Sequence, residues 1–244
     1  MATPDKNNRR ADLFYVCRAS SSFPASPPCF RMSDSFRSVT WPAPHWFPKL
    51  LLGIYLLLFT VCAINPAERG TWVAENLPIV AIAATLAVLY WRGIRFSNLA
   101  YALMSVLLLM HTIGGHYTFE KVPFDWFSKL FGFKRNMYDR VAHFTVGFYA
   151  FAIIELTDRL GTIRSRFISY AFPLCVIGTV AMAYELIEWV YAATAGGSAG
   201  AAFLGSQGDI WDAQKDMLAD TSGAIFALLL YALLGRGPSA ERPE

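Results

Sequence analysis

Ten ionisable side chains sit at or near the ends of apolar runs in this chain: His111, His116, Asp139, His143, Glu185, Glu188, Asp209, Asp212, Asp216 and Asp220. Imidazole nitrogens mixed with carboxylates are ligands for zinc, manganese or iron, and an acid-only subset suits magnesium. Ionisable groups at membrane depth are costly, so such a set reads as a functional site. Asp139 and His143 are four residues apart and share a helix face, where the carboxylate orients the imidazole or joins it on a metal. Glu185 and Glu188 also share a face, and two carboxylates that close repel each other unless a proton or cation intervenes. Asp209, Asp212, Asp216 and Asp220 form one helical stripe. A helix dipole favours acids by about 0.3–1 kcal/mol and only within the first turn, which leaves Asp220 without that explanation. His111 and His116 flank Gly114-Gly115, a pair expected to break its helix and turn the backbone toward the site. No H-E-x-x-H, P-loop or G-x-S-x-G motif is present, so the metal assignment rests on ligand chemistry alone.

The elements that must carry these groups are membrane helices. Of the 244 residues 55% are hydrophobic and 16% charged, with mean hydropathy +0.37, against about 25% charged in a soluble domain. Apolar stretches at 48–64, 76–91, 99–113, 141–157, 167–190 and 217–234 predict an all-α bundle of six transmembrane helices. Alternating crossings bring all ten groups to one face. The net charge of +3 carries no basic run with interleaved aromatics, so membrane lipids rather than nucleic acid are the expected partners. Cys17, Cys29, Cys62 and Cys175 form no C-x-x-C pair.

Residues 1–45 read as a disordered N-terminal tail rich in serine and proline, with Met32 as the expected start of translation and 1–31 as untranslated; 46–235 form the transmembrane domain and 236–244 a cytoplasmic tail. With both termini cytoplasmic, fourteen Lys/Arg fall inside and seven outside, or nine against seven without residues 1–31, and most outer positives lie in the one loop 114–140, which favours this orientation in a bacterial inner membrane. The outer loop 114–140 holds Tyr117, Phe119, Phe124, Trp126, Phe127, Phe131, Phe133 and Tyr138, and is expected to lie along the membrane surface as a partly helical cap. The glycine-rich stretch 191–208 is expected to be flexible.

The segments His111-Thr-Ile-Gly-Gly-His116-Tyr117-Thr118, Val122-Pro123 and Arg135-Asn136-x-Tyr138-Asp139-Arg140-x-x-His143-Phe144 resemble those of YjdF-type bacterial inner-membrane proteins. So do Tyr184-Glu185-x-x-Glu188-Trp189 and Gln207-Gly208-Asp209-x-Trp211-Asp212-x-Gln214-x-Asp216, and the resemblance covers about residues 45–235. It implies a multi-pass inner-membrane protein and assigns no reaction. A fainter pattern is similar to VanZ-like membrane proteins: Asp139-Arg140-x-x-His143-Phe144, Glu185, then Asp212, Asp216 and Gly223. Arg140 stands where that family favours Lys, and Ser222 where it has Asn. That likeness implies a role in envelope stress or resistance to cell-wall-directed antibiotics.

The leading expectation is a metal-dependent hydrolase or transferase acting on a lipid-linked or envelope substrate. In it His111, His143, Glu185, Asp212 and Asp216 hold a divalent metal (Zn, Mn, Fe or Mg), while Asp139, Glu188 and His116 move protons. Lys121, Arg135 and Arg140 bind the substrate through charge-assisted hydrogen bonds. The alternatives are a proton- or cation-coupled transporter, and a non-catalytic membrane scaffold whose acids pair with arginine and lysine.

Overall fold

A computed structural model of the protein describes residues 46–234 and, before them, Tyr15–Val16 and Phe30–Arg31. The chain divides into two units, Met1–Trp41 and Pro42–Glu244. In the first, β1 (Tyr15–Val16) pairs antiparallel with β2 (Phe30–Arg31). The expectations of a disordered tail, of a start at Met32 and of a C-terminal tail otherwise fall outside the described residues.

The second unit is helical among its described residues. In chain order it has α1 (Phe47–Cys62), α2 (Arg69–Trp91), α3 (Asn98–Tyr117), α4 (Asp125–Phe131), α5 (Tyr138–Val146), α6 (Tyr149–Arg159), α7 (Arg166–Ala195), α8 (Gly197–Leu204) and α9 (Asp212–Leu234). Five helices are long and apolar enough to cross a membrane: α2, α3, α5 with α6 as one span, α7 and α9. At 16 residues α1 is shorter, about 24 Å long at 1.5 Å per residue. The outer surface is apolar, with Leu57, Leu77, Phe167, Ile187, Leu229 and Leu233 all exposed, as lipid-facing positions require.

Several helices outrun the apolar stretches. α2 begins at Arg69, because the Glu68 carboxylate caps it by accepting from the backbone N–H of Gly70 and Thr71. α3 begins at the Ser97 cap, whose hydroxyl oxygen accepts from Ala100 N at 3.2 Å. Contrary to expectation, Gly114 and Gly115 do not break α3. The helix runs through them to Tyr117, and the chain turns at Thr118 and Phe119, with φ of +60° and +49°. The two glycines serve close approach instead: a Cβ on Gly114 would collide with the Phe119 ring, and one on Gly115 would sit 2.9 Å from Asn76 Nδ2. The stretch 191–208, expected to be flexible, continues α7 to Ala195 and then forms α8.

Cross-links define two ends of the bundle. At one end α1 finishes beside the end of α3, where Ala67 N donates to His116 O at 2.8 Å. Asn136 and Gln207 exchange hydrogen bonds there, joining the start of α5 to the approach of α9. At the other end Glu155 of α6 accepts from Ser97 N at 2.7 Å and from its hydroxyl, and pairs with Arg159 at 2.9 Å. Tyr231 of α9 donates to Asp158 at 2.9 Å. The main core lies toward this second end, built on Phe96, Met104, Phe151, Ile154, Leu228 and Tyr231.

The span formed by α5 and α6 is interrupted. α5 ends at Val146 and α6 starts at Tyr149, bridged by i→i+3 bonds such as Phe148 N to Thr145 O at 3.1 Å. The break sits where α9 crosses closest. A Cβ on Gly147 would collide with the backbone of Gly223 and Ala224, and one on Gly223 with the Phe144 carbonyl. Small residues that let backbones meet are a standard device of membrane helix packing. Gly223→Ala should therefore lower stability by about 1–3 kcal/mol. Gly53→Ala in α1, where a Cβ meets nothing within 4 Å, should not destabilise the protein. Thermal unfolding of both variants in detergent checks the contrast.

Candidate functional site

The Gly147–Gly223 crossing sets the register of two spans that run in the same direction. One turn back along each, His143 of α5 meets Asp220 of α9: Nδ1 lies 3.3 Å from both carboxylate oxygens. Further toward the same end, α5 presents Asp139 and Arg140, and α9 presents Asp216 and Asp212. All of Asp139, His143, Asp212, Asp216 and Asp220 are buried, Asp216 at 3% exposure and Asp220 at 1%.

Two arginines hold the aspartates. Arg140 Nη2 reaches Asp212 Oδ1 at 2.6 Å and Nη1 reaches Asp216 Oδ1 at 2.8 Å. Arg140 Nη1 also donates to the Asp212 carbonyl at 2.9 Å. Arg135 donates to Asp212 Oδ1 and lies 3.6 Å from Asp209 and 3.9 Å from Asp139. Burial of Arg135 works against its charge, but the Asp212 hydrogen bond and the surrounding aspartates outweigh it and raise its pKa. Lys215 Nζ pairs with Asp209 at 2.7 Å.

His143 Nε2 points to the space between Asp139 Oδ1 at 3.7 Å and Asp216 Oδ1 at 4.0 Å. Those spacings are too long for hydrogen bonds. They are near what two ligands on one small cation show, each about 2.0–2.2 Å from it. One donor atom from each of Asp139, His143 and Asp216 lies within 4.8 Å of the others, a grouping able to hold a metal ion. Asp220 behind His143 fixes the ring and its tautomer, as carboxylates do for metal-binding histidines. Five aspartates here meet three cationic side chains, Arg135, Arg140 and Lys215.

Beside this cluster is a cavity of about 130 Å³. Asp139, His143 and Asp220 form one flank. The opposite flank is Glu75 of α2, His111 of α3, and Tyr184 and Glu188 of α7. Glu75, 2% exposed, is the hub there: its Oε2 accepts from the Tyr184 hydroxyl at 2.8 Å and lies 3.0 Å from His111 Nε2. The Tyr184 ring stands edge-on to His111 at 6.1 Å and to His143 at 6.3 Å, so it links the flanks. Phe119 closes over His111 with ring centroids 5.0 Å apart.

Of the residues singled out from sequence, the structure brings together Asp139, His143, Asp212 and Asp216, with Arg135 and Arg140 bound to the aspartates. His111 and Glu188 line the shared cavity. Glu185 stands within electrostatic reach of His143 and Asp139, and its buried Oε1 has no hydrogen-bond partner among the described residues. Two residues lie apart: His116 Nδ1 donates to the Cys62 carbonyl at 2.8 Å, and exposed Lys121 has Glu120 at 3.9 Å. Sequence reasoning missed Glu75. It fell outside the span read from 76, although a helix continued back to a Glu68 cap puts Glu75 on one face with Ile79 and Ile82, which line the same cavity.

The family described as "Predicted membrane protein (DUF2238)" matches residues 47–237. "Inner membrane protein YjdF" of Escherichia coli (strain K12) is 33% identical over 179 residues, covering 72% of this chain and 84% of the relative. No solved structure matches.

Two expectations follow from the ion pairs. Arg140→Ala leaves buried Asp216 without its closest cation and Asp212 with Arg135 alone, and should cost about 3–5 kcal/mol, read by chemical or thermal unfolding. The Asp209 carboxyl is held below its usual range by the Lys215 hydrogen bond, then by the Trp211 N–H. Its stabilising contribution is therefore present above its unfolded pKa of about 3.9 and lost as pH falls through the lower folded value. Asp209→Asn should lower stability at neutral pH and flatten the acid limb of the stability profile below about pH 4, so that variant and wild type converge at the lowest pH.

Proposed function

The chain belongs to the family described as Predicted membrane protein (DUF2238), and from that premise we propose that it is an inner-membrane metalloprotein whose Asp139, His143 and Asp216 hold one divalent cation at the outer face. The observation that carries this is His143 Nε2, turned away from Asp220 and set between two buried carboxylates at distances that suit a shared ion. One imidazole and two carboxylates suit zinc, manganese or iron. The reaction best suited to the site is hydrolysis or group transfer on a lipid-linked or envelope substrate. The ion supplies Lewis acidity when bound. The chain's own residues do the rest: Asp220 holds the His143 ring, Arg140 and Arg135 offset the aspartates, and Glu188 is placed on the cavity wall to accept a proton.

The same reading has six crossings, with α1 as the first and both termini cytoplasmic, so that 118–137 and 205–211 face outward. Transport is disfavoured by the far end of the bundle, where Glu155 and Asp158 fasten Ser97, Arg159 and Tyr231. A purely structural role for the acids is favoured by one observation, the bonds of Arg135 and Arg140. It would have Arg140→Ala combined with Asp212→Ala recover the stability lost in either single variant, in a protein without metal.

Elemental analysis of the purified protein decides between them. About one equivalent of transition metal is expected, falling at least tenfold in Asp216→Ala, and falling in affinity by roughly 10–100-fold in Asp220→Asn. A folded, metal-free wild type would end the proposal. Orientation is read with the four native cysteines replaced by serine: Ile210→Cys should react with an impermeant maleimide from the outside of spheroplasts, and Thr162→Cys only after permeabilisation.

A further inference from the structure

The cavity beside the aspartates has a second character. Below its polar rim the walls are Pro78, Ile79 and Ile82 of α2, Leu107 of α3, Val146 of α5, and Val180 and Ala181 of α7. It is therefore amphipathic along its length, polar where Glu75, His111, Tyr184 and Glu188 converge and apolar beyond. α2 packs on α3 and touches α8, and α7 packs on α6, α8 and α9. Between α2 and α7 the link at this level is the Tyr184–Glu75 hydrogen bond. The apolar part of the cavity thus lies between two helices whose other faces, at Leu77, Val80 and Leu186, are exposed as lipid-facing positions are.

The polar part is asymmetric in charge. Arg135, Arg140 and Lys215 are all bound to aspartates, and none of them lines the cavity. On the α2–α7 flank the side-chain partners of Glu75 among the described residues are His111 and Tyr184. Glu188 makes no ion pair among the described residues, and the buried Glu185 Oε1 one turn away has no hydrogen-bond partner. A ligand seated there meets carboxyl groups with no arginine or lysine partner among the described residues at one end and hydrocarbon at the other.

We propose that the cavity binds a single-chain amphiphile carrying a primary ammonium head, entering sideways from the bilayer between α2 and α7. The head lies against Glu188 and the Glu75–Tyr184 pair, and the chain runs along Ile79, Ile82, Val146 and Val180. An anionic head meets four lining carboxylates, Glu75, Asp139, Glu188 and Asp220, and is repelled. This deepens the reading above by naming the substrate class of the site, and rests on it only for the reaction.

The test uses the full chain in nanodiscs of zwitterionic lipid, titrated with a saturated C16 primary amine, C16 alcohol and C16 phosphate. Native mass spectrometry and melting temperature give the bound fraction, with and without chelator. The amine is expected to bind at least tenfold more tightly than the phosphate in both states. Glu188→Gln should remove that preference, and Val180→Trp should weaken all three probes while metal content stays at the wild-type level. Phosphate binding equal to or tighter than amine, or a preference that survives Glu188→Gln, overturns the inference. Should Val180→Trp melt early, the Glu188→Gln comparison decides alone. Amine binding by a protein that holds no metal as purified, before any chelator is added, would sink the metal reading and leave this one standing; a metal-loaded protein indifferent to head group would do the reverse.

Discussion

Five aspartates must coexist at the end of an apolar bundle, and two arginines make that possible. Arg140 reaches from α5 to Asp212 and Asp216 on α9, and Arg135 reaches from the preceding loop to Asp212, Asp209 and Asp139. Uncompensated, buried carboxylates in this setting would take up protons or separate. With the guanidinium groups in place, α5 and α9 are held together at the end where their backbones would otherwise be free to splay. The arrangement stops short of full neutralisation, and the shortfall is concentrated around His143.

A second constraint turns this charge cluster into a site with defined geometry. Gly147 and Gly223 let the two spans meet backbone to backbone, and the i→i+3 turn after Val146 absorbs the distortion. Because the two helices run in parallel there, contact at 147 and 223 fixes which residues face each other one turn earlier. His143 then has Asp220 behind it and Asp139 and Asp216 before it. The chemistry and the packing are thus one feature: a shift of one residue in this register would rotate α9 by about 100° and carry its aspartates out of reach.

Much of this was legible in the chain. The four-residue steps through Asp212, Asp216 and Asp220, and from Asp139 to His143, place each set on one helix face. Lys215, Arg135 and Arg140 were readable as partners by proximity to the acids. What escaped depended on contacts between distant segments. Glu75 stands just outside the apolar run that marks α2, and only Tyr184 and His111 reveal it as an interior group. Gly114 and Gly115 suggested a break because glycine permits one, yet here they make room for Phe119 and Asn76. His116 shares its neighbourhood in sequence with His111, but five positions along a helix place it on a different face, toward Cys62.

The two flanks of the cavity divide the labour that a membrane-embedded site requires. On one side, cation-balanced aspartates and a positioned imidazole form a rigid pocket with little room for a bulky group. On the other, Glu75, Tyr184 and Glu188 face hydrocarbon walls and lack the arginines that serve the first side. A single cluster balanced throughout would be inert, and one unbalanced throughout would not stay folded in an apolar surround. Compensation is confined to the α5–α9 seam, and the α2–α7 side has carboxyl groups with no arginine or lysine partner among the described residues. Tyr184 spans the gap, its hydroxyl on Glu75 and its ring edge-on to both histidines, so a group that displaces its hydrogen bond alters the setting of His143 as well.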